Sequence, residues 1–151
     1  MIGVSGLSKR YGDVNAVDDI SFEVLPGELA FVIGASGSGK TTLLRLLHGD
    51  LRADGGSIHI DGVDVTRLRR RTLPRYRRLV SIVPQDHRLL SGRTVADNLA
   101  FSLGVLGWRR RPAQRRIDDV LLMVGLDGYR DRLPHELSGG LLQRVMIASA
   151  L

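Results

Sequence analysis

The sequence predicts an α/β fold in which a phosphate-binding loop joins a buried strand to a helix. Residues 34–41, GASGSGKT, match the pattern G-x-x-x-x-G-K-[ST] at every fixed position. The apolar run 29–33 before them is typical of a strand buried on both faces. After them, Leu43, Leu46 and Leu47 have the spacing of one helix face. Strand, loop and helix therefore follow one another in the order that a phosphate cradle requires.

The residue types of the loop suit a nucleoside triphosphate. Glycines let consecutive backbone N–H groups turn inward, and the N-terminus of the helix adds partial positive charge. Lys40 can reach the β- and γ-phosphates, and the Thr41 hydroxyl can ligate Mg²⁺. A chance glycine-rich turn would fit the bare pattern in about one in a hundred chains of this size. The strand and helix on either side make that alternative rarer still.

Length and composition limit the classes of protein to which the chain can belong. The chain has 151 residues, 43% hydrophobic and 25% charged, which is ordinary for one globular domain. It has no cysteine, which excludes disulfides and thiolate metal sites. No signal peptide is visible, and the most apolar span, 98–108, is too short to cross a bilayer. We expect a cytoplasmic protein.

Strand patterns dominate the first half of the chain. Four short pieces are strand-like: 2–7, 20–25, 57–60 and 63–65. Asp61-Gly62 between the last two is a strong hairpin signal. These pieces predict a small antiparallel sheet beside the strand-loop-helix unit. A second apolar run, 79–83, predicts another buried strand.

Helical spacing dominates the second half. The predicted helices cover 95–103, 112–124 and 139–151. Ser138 is the predicted N-cap of the last one. The run 120–127 looks like a strand that ends in an acid able to hold magnesium, but Ile117, Val120 and Val124 recur at helical spacing. Asp127 is therefore predicted to be a loop residue and not a magnesium ligand.

Residues 67–78 contain seven arginines and no acid. Two interpretations compete: an electrostatic footprint for phosphates, or a solvated helical face. Tyr76 is the only aromatic residue there that could stack on bases. We favour the solvated face, near anionic lipid, and expect no nucleic-acid partner. The four histidines have no metal-ligand spacing and are predicted to be structural or on the surface: His48, His59, His87 and His135.

Three motifs, taken in order, resemble those of one family. They are the loop 34–41, Gln85 after an apolar run, and Leu137-Ser138-Gly139-Gly140 before Gln143-Arg144-Val145. This combination resembles the ATP-binding subunit of ABC transporters, whose signature motif is LSGG. Its pairing with an upstream phosphate loop is highly specific. Within the family, 85–90 and 93–99 look most like the cell-division ATPases of the FtsE type. Lipoprotein-release and macrolide-export ATPases are the alternatives.

The resemblance implies a RecA-like P-loop NTPase fold with an N-terminal antiparallel β-subdomain and a helical subdomain. By this resemblance, residues 1–151 form a single, partial domain. This domain divides into a β-subdomain plus phosphate-loop core at 1–84, a glutamine-loop and helical subdomain at 85–137, and a signature helix at 138–151. An intact member continues with a Walker B strand and its Asp, a catalytic Glu and a switch His. None of these is present, so we expect a C-terminally incomplete domain.

The resemblance also implies a role for particular residues. Tyr11 would stack on adenine, and the phosphate loop would hold the rest of the nucleotide. The implied nucleotide contacts are Tyr11, Gly34, Ser36, Gly37, Ser38, Gly39, Lys40, Thr41 and Thr42. Thr41 and Gln85 would hold Mg²⁺, and Gln85 would also position the attacking water. Ser138, Gly139 and Gly140 would face the ATP of a second subunit.

The implied function is ATP hydrolysis coupled to a membrane complex. Two copies would sandwich two ATP molecules, each between the loop of one copy and the signature of the other. An integral membrane subunit, FtsX-like or a permease, would receive the movement at the inner face of the cell membrane. Leu141-Leu142 stands where a polar Gln or Glu usually follows the signature, which puts its engagement with nucleotide in doubt.

Three functional interpretations stay open. The chain is an ABC-type ATPase subunit, a non-hydrolysing nucleotide-binding module, or a P-loop kinase or nucleic-acid ATPase; the signature argues against the third. Because the general-base Glu is absent, we expect this chain to bind ATP weakly and to hydrolyse it negligibly. Four residues of the last helix are expected to form an exposed apolar face: Leu142, Val145, Met146 and Ala150.

Overall fold

The structure is a computed structural model that describes residues 1–86 and 89–151. These residues form two compact units, Met1–Val80 and Ser81–Leu151. The elements of the first unit are β1 (Ile2–Tyr11), β2 (Val14–Val24), α1 (Lys40–Leu47), β3 (Gly55–Ile60), β4 (Val63–Asp64) and α2 (Leu73–Tyr76). Those of the second unit are α3 (Val95–Val105), α4 (Arg110–Met123) and α5 (Gly139–Ala150). His87, predicted to be structural or on the surface, lies outside the described residues.

The predicted antiparallel sheet is present and is larger than the sequence indicated. Its strand order is β2-β1-β3-β4. β1 and β2 run on beyond the predicted pieces because a tight turn at Gly12 lets Tyr11 pair with Val14. Between β3 and β4, Asp61 and Gly62 have φ values of 45° and 78°. Positive φ at both central residues is what a two-residue type I′ hairpin needs, so that prediction is confirmed.

One face of α1 packs on the sheet. Leu43 and Leu46 are buried together with Leu7, Val17 and Ile58 of the strands. These side chains form the core of the first unit, to which each buried leucine contributes roughly 2 kcal/mol. The leucine spacing that predicted α1 is thus the spacing of its buried face.

The short helix α2 closes this core near the C-terminal end of α1. Tyr76 is 2% exposed, and its hydroxyl donates a hydrogen bond to the backbone carbonyl of Leu47. Burial raises the pKa of Tyr76 to about 12. Its ring is therefore a core side chain that cannot stack on a base.

The arginines of 67–78 lie on the surface, as a solvated face requires, but only Leu73–Tyr76 is helical, so the expected helical face is wrong for the rest of the segment. Arg77 forms an ion pair with Asp50 at 2.7 Å, and Arg67 forms one with Asp64 at 3.2 Å. Five others have no acidic partner within 4 Å among the described residues: Arg69, Arg70, Arg71, Arg75 and Arg78.

Two predicted strands are wrong. Residues 29–33 and 79–83 pair with no strand in the described part of the chain. Leu29, Phe31 and Ile33 are 81%, 76% and 92% exposed. An apolar run has the composition of a buried strand, but a strand also needs neighbours that accept and donate its backbone hydrogen bonds. The four strands of the first unit pair only among themselves, so the runs stay irregular.

Three helices build the second unit, and the predicted helices are confirmed with small shifts at their ends. α4 ends at Met123, and Gly125 follows with φ 67°. Asp127 then begins a 3₁₀ turn, Asp127–Tyr129, and belongs to no strand. The core side chains come from all three helices and the turns between them: Val95, Leu99, Ile117, Val120, Leu121, Leu126, Leu137, Val145 and Ala148.

The apolar face expected to be exposed on the last helix is not exposed. Val145 and Met146 are 0% and 7% exposed, and Leu142 is half-buried against the core of the second unit. The prediction was wrong because α3 and α4 pack against α5 and cover much of its apolar surface.

A buried asparagine that sequence reasoning missed fixes the start of α3. Asn98 is 5% exposed, and its Oδ1 accepts a hydrogen bond from the backbone N–H of Leu90 at 2.7 Å. Its Nδ2 donates to the carbonyls of Leu90, Arg93 and Thr94 at 3.2, 3.1 and 2.9 Å. The side chain therefore satisfies backbone groups that would otherwise be buried without partners.

We predict that Asn98→Ala lowers the free energy of unfolding of the second unit by about 2–3 kcal/mol, since it leaves several buried backbone groups unpaired. Urea denaturation followed by circular dichroism measures this change. Asp97→Ala is the matched control, because Asp97 is the exposed neighbour on the same turn. Equal losses for the two variants would contradict the role given to Asn98.

Candidate functional site

The first unit places the phosphate loop at the N-terminus of α1. The helix begins at Lys40, and Gly39 before it has φ 85°. A Cβ on Gly39 would overlap the carbonyl oxygen of Ala16 in β2. Gly37 has φ 81°, but no atom lies within 4 Å of the Cβ position there. Backbone conformation therefore requires glycine at both positions, and close packing on β2 requires it at Gly39 as well.

Lys40 is held against the loop that precedes it. Its Nζ donates hydrogen bonds to the carbonyls of Gly34 at 2.9 Å and Ala35 at 2.6 Å, and lies 3.3 Å from the Oγ of Ser38. No acidic side chain lies within 4 Å of this ammonium group among the described residues. Its positive charge is therefore not neutralised there by a carboxylate.

The loop also carries backbone donors without protein acceptors. The Ser38 N–H bonds to the Ala35 carbonyl at 3.2 Å. The N–H groups around the start of α1 that donate to no described residue include those of Gly37, Gly39, Lys40, Thr41 and Thr42. Clustered N–H groups at a helix N-terminus bind phosphate. These donors, together with the Lys40 ammonium, fit a polyphosphate.

A pocket of about 360 Å³ lies between β2 and the phosphate loop. Ala16 and Val17 line one side, and Gly39, Lys40 and Leu43 line the other. Asn15 and Asp18 of β2 also line the pocket, so the wall beside the charged loop is part polar and part apolar.

Tyr11 lies in the same unit but not in this pocket. It ends β1 and is 46% exposed. The Nζ of Lys9 lies 5.8 Å from the centre of its ring, within range of a cation–π interaction. Lys9 also pairs with Asp54 at 2.9 Å. A hydrogen bond from the Arg10 backbone N–H and the bond from Lys9 lower the pKa of Asp54.

The signature residues begin α5 in the second unit. Ser138 is its N-cap, as predicted, and its Oγ accepts a hydrogen bond from the backbone N–H of Leu141 at 3.4 Å. Gly139 and Gly140 have no positive φ, and no atom lies within 4 Å of the Cβ position at either. A glycine in a helix costs about 1 kcal/mol relative to alanine. The fold of this unit gives no reason for the glycine pair.

The two leucines after the signature have a structural role. Leu141 and Leu142 are half-buried and pack against the core of the second unit. This packing explains apolar residues at positions where the resemblance leads us to expect a polar one.

Gln85 also belongs to the second unit. It lies in a bend and is exposed. The two residues after Asp86 lie outside the described part of the chain. The predicted site residues are thus divided: Tyr11 and the loop lie in the first unit, and Gln85 and the signature in the second.

The described histidines take no part in a metal cluster. His48 lies 3.1 Å from Asp50, and His59 lies 3.9 Å from Asp64. Residues 1–86 and 89–151 contain no group of three or more His, Asp or Glu side chains placed to hold a metal ion. Within the same ranges, no helix has the length and apolar character that crossing a membrane demands.

Known protein families and solved structures match this sequence and this fold. A family model described as "ABC transporter" matches residues 17–151. The chain belongs to the ABC transporter family. The cell-division ATP-binding protein FtsE of Escherichia coli is 43% identical to the chain, which covers 68% of that protein. The methionine import ATP-binding protein MetN of Geobacillus kaustophilus is 41% identical, and the chain covers 45% of it. In both comparisons the whole chain is matched.

The ABC nucleotide-binding domain fold is confirmed by a solved structure. The ATP-binding cassette MJ0796, described as a dimer in a post-hydrolysis state bound to ADP and Pi, matches with a TM-score of 0.86 and 27% identity. The comparison covers 100% of this chain and 69% of that one. The chain thus spans between about half and two thirds of the length of these ABC proteins.

Sequence reasoning identified the loop 34–41 but missed how the fold holds it. The contact between Gly39 and β2 involves the backbone carbonyl of Ala16. Any residue supplies a carbonyl, so no side-chain pattern could have revealed its partner. The hydrogen bonds from Lys40 to the loop carbonyls also have backbone acceptors, which no side-chain pattern reveals.

We predict that Gly39→Ala destabilises the first unit more than Gly37→Ala does. Both variants place alanine in left-handed backbone, which costs roughly 1–2 kcal/mol. Gly39→Ala also forces its Cβ into the Ala16 carbonyl and must push the loop away from β2. Thermal unfolding of the two variants measures the difference. Equal melting temperatures would contradict the packing of the loop on β2.

Proposed function

We propose that this chain binds ATP with Mg²⁺ as part of an ABC-type ATP-binding subunit. The observation that carries the proposal is the phosphate loop itself, which holds the ammonium of Lys40 in the same segment as N–H groups that donate to no described residue. Together they offer positive charge and directed donors to a triphosphate. The contacting residues are Gly34, Ser36, Gly37, Ser38, Gly39, Lys40, Thr41 and Thr42.

Magnesium is assigned to residues with oxygen atoms, which this ion prefers. The Thr41 side chain is exposed at the start of α1 and can ligate the ion beside the phosphates. Gln85, also exposed, is proposed as the second ligand and as the residue that orients water. The bound ion would neutralise phosphate charge.

The signature residues are proposed to contact the ATP of a second copy. Ser138, Gly139 and Gly140 start a helix, where backbone donors meet the positive end of the helix dipole. No side chain or neighbouring segment among the described residues packs against these glycines, which supports close approach by a group from outside the chain. The MJ0796 cassette, matched over this whole chain, is a dimer. We therefore propose a homodimer with ATP at its interface.

Hydrolysis of ATP at such an interface would drive a membrane complex from its cytoplasmic face. The FtsE-type assignment rests on the sequence of 85–90 and 93–99. The identity to MetN, 41%, is close to the 43% to FtsE, so an importer is the second candidate. Co-purification with an FtsX-like membrane subunit, and not with an importer permease, supports the first candidate.

We predict that Lys40→Ala lowers the affinity of the chain for Mg²⁺–ATP by about 10- to 100-fold. A charge-assisted hydrogen bond contributes about 1.5–3 kcal/mol, and this substitution removes the only ammonium group of the loop. Titration of a fluorescent ATP analogue measures the affinity.

The matched control is Arg45→Ala, which removes a positive charge from the exposed side of the same helix. Its affinity should stay within about twofold of the parent protein, because exposed charges at a distance are screened by salt. If both substitutions weaken binding equally, the loop is not the phosphate site and the proposal fails.

Tyr11, which lies in the same unit as the phosphate loop but outside the pocket, is proposed to stack on adenine. We predict that Tyr11→Ala lowers ATP affinity by about 10-fold and that Tyr11→Phe leaves it nearly unchanged, because stacking needs the ring and not the hydroxyl. Inorganic triphosphate, which has no base, should bind all three proteins alike. An equal effect of Tyr11→Ala on triphosphate binding would show that Tyr11 acts on the fold and not on adenine.

A further inference from the structure

The turn between α3 and α4 carries exposed apolar side chains. We define the α3–α4 corner as residues 101–116. Phe101 and Val105, one turn apart on α3, are 60% and 65% exposed. Leu106 and Trp108 follow in the connecting turn and are 43% and 44% exposed. Exposure of several large apolar groups within eight residues marks an interaction surface.

The backbone holds this corner in one conformation. Gly107 has φ 86°, and its N–H donates to the carbonyl of Gly104 at 2.9 Å. The Trp108 N–H donates to the carbonyl of Leu103 at 3.0 Å. This pair of bonds is a Schellman motif, which ends α3 and fixes the position from which Trp108 projects.

The same corner has a high density of positive charge. No acid occurs between Asp97 and Asp118, while five arginines do. Arg109, Arg110, Arg111 and Arg115 are exposed and have no acid within 4 Å in the described chain: their charges face solvent. The fifth, Arg116, donates to the backbone carbonyl of Leu151 at 2.6 Å.

A shallow pocket joins the aromatic and basic groups. It has a volume of about 420 Å³ and is lined by Trp108, Arg111, Pro112, Arg115, Arg116 and Asp119. Asp118, the first acid beyond the corner, is already paired with Arg130. Asp119 is therefore the one carboxylate facing a pocket that holds three guanidinium groups. Such a pocket favours a phosphate group beside an apolar chain.

We propose that the α3–α4 corner docks on the surface of an anionic lipid bilayer. Trp108 and its apolar neighbours lie at the boundary of headgroups and acyl chains, where aromatic rings are stable. The arginines bind lipid phosphates, and each basic residue near an anionic surface adds about a fivefold gain in partition. This inference does not rest on ATP binding, since the residues involved lie outside the phosphate loop.

Charge and composition favour lipid over other polyanions or a protein partner. The excess of one charge sign favours an anionic surface, because residues 101–116 contain five arginines and no acid, and their pocket adds one carboxylate, Asp119. Single-stranded nucleic acid needs a row of aromatic rings for successive bases, and the corner supplies only two, Phe101 on α3 and Trp108 in the turn after it. A bilayer requires one aromatic anchor and several cations, which are the groups present.

The test uses the full chain and the fluorescence of its tryptophan. Trp108 is the single tryptophan in the sequence, so its emission reports on this corner alone. Without nucleotide, vesicles of phosphatidylglycerol and phosphatidylcholine should shift the emission to shorter wavelength and co-sediment the protein. Vesicles of phosphatidylcholine alone should do neither. Raising the salt concentration to about 0.5 M should release the protein, because the charges are then screened.

Two triple variants separate this corner from general charge. Replacing Arg109, Arg110 and Arg111 by glutamine should lower the partition coefficient by about 100-fold, with an unchanged circular dichroism spectrum. Replacing Arg69, Arg70 and Arg71 by glutamine removes the same charge from the other basic segment and should lower it by less than about threefold. Trp108→Ala, measured by co-sedimentation, should lower it by about 10-fold.

Three results would overturn the proposal. The first is the absence of an emission shift with anionic vesicles. This result counts even if the protein co-sediments with the vesicles, because it would then bind them through another face. The second is an equal loss in the two triple variants, which would mean that total charge alone attracts the protein. The third is binding of a short RNA or DNA that is tighter than vesicle binding, changes the Trp108 emission and is not displaced by vesicles. That result would make the corner a nucleic-acid site. If the chain fails to bind ATP, each of these outcomes can still be measured, because the vesicle experiments contain no nucleotide.

Discussion

The approach of Gly39 to the carbonyl of Ala16 is the contact on which the phosphate loop depends. It places the end of the loop against β2, with no room for a side chain between them. The helix that follows then starts at Lys40 and directs Leu43 and Leu46 into the core of the first unit. The same helix start leaves its first N–H groups free of protein acceptors. One backbone contact thus couples the packing of the sheet to the groups that bind phosphate.

Sequence alone predicted the features that depend on side-chain type and local spacing. The loop 34–41, the helix face containing Leu43, the hairpin at Asp61-Gly62 and the cap at Ser138 all appear in the structure as expected. Each depends on residues within a few positions of one another, so a pattern can reveal it. The family resemblance depends on the same kind of signal, since its motifs are short and their order along the chain is specific.

What sequence did not predict depends on partners distant along the chain or on the backbone. The run 29–33 has the composition of a buried strand, yet no described strand supplies its hydrogen bonds. Asn98 gives no pattern that distinguishes it from an ordinary helix residue, although it bonds to the backbone of three other residues. The face of the last helix that includes Met146 was expected to be open because the contribution of α3 and α4 to its burial could not be foreseen.

The two basic segments show why composition does not determine a surface's role. By sequence, 67–78 is the more basic, with seven arginines in twelve residues. In the structure, Asp50 and Asp64 neutralise two of them, and the segment's aromatic ring, Tyr76, is buried. The α3–α4 corner has fewer arginines, but its tryptophan and apolar neighbours are exposed beside them. Electrostatic attraction acts within about a Debye length of the membrane, and apolar insertion adds affinity once the corner is in contact with the bilayer. A surface that combines both attractions therefore binds an anionic bilayer more tightly than arginines alone at the same salt concentration.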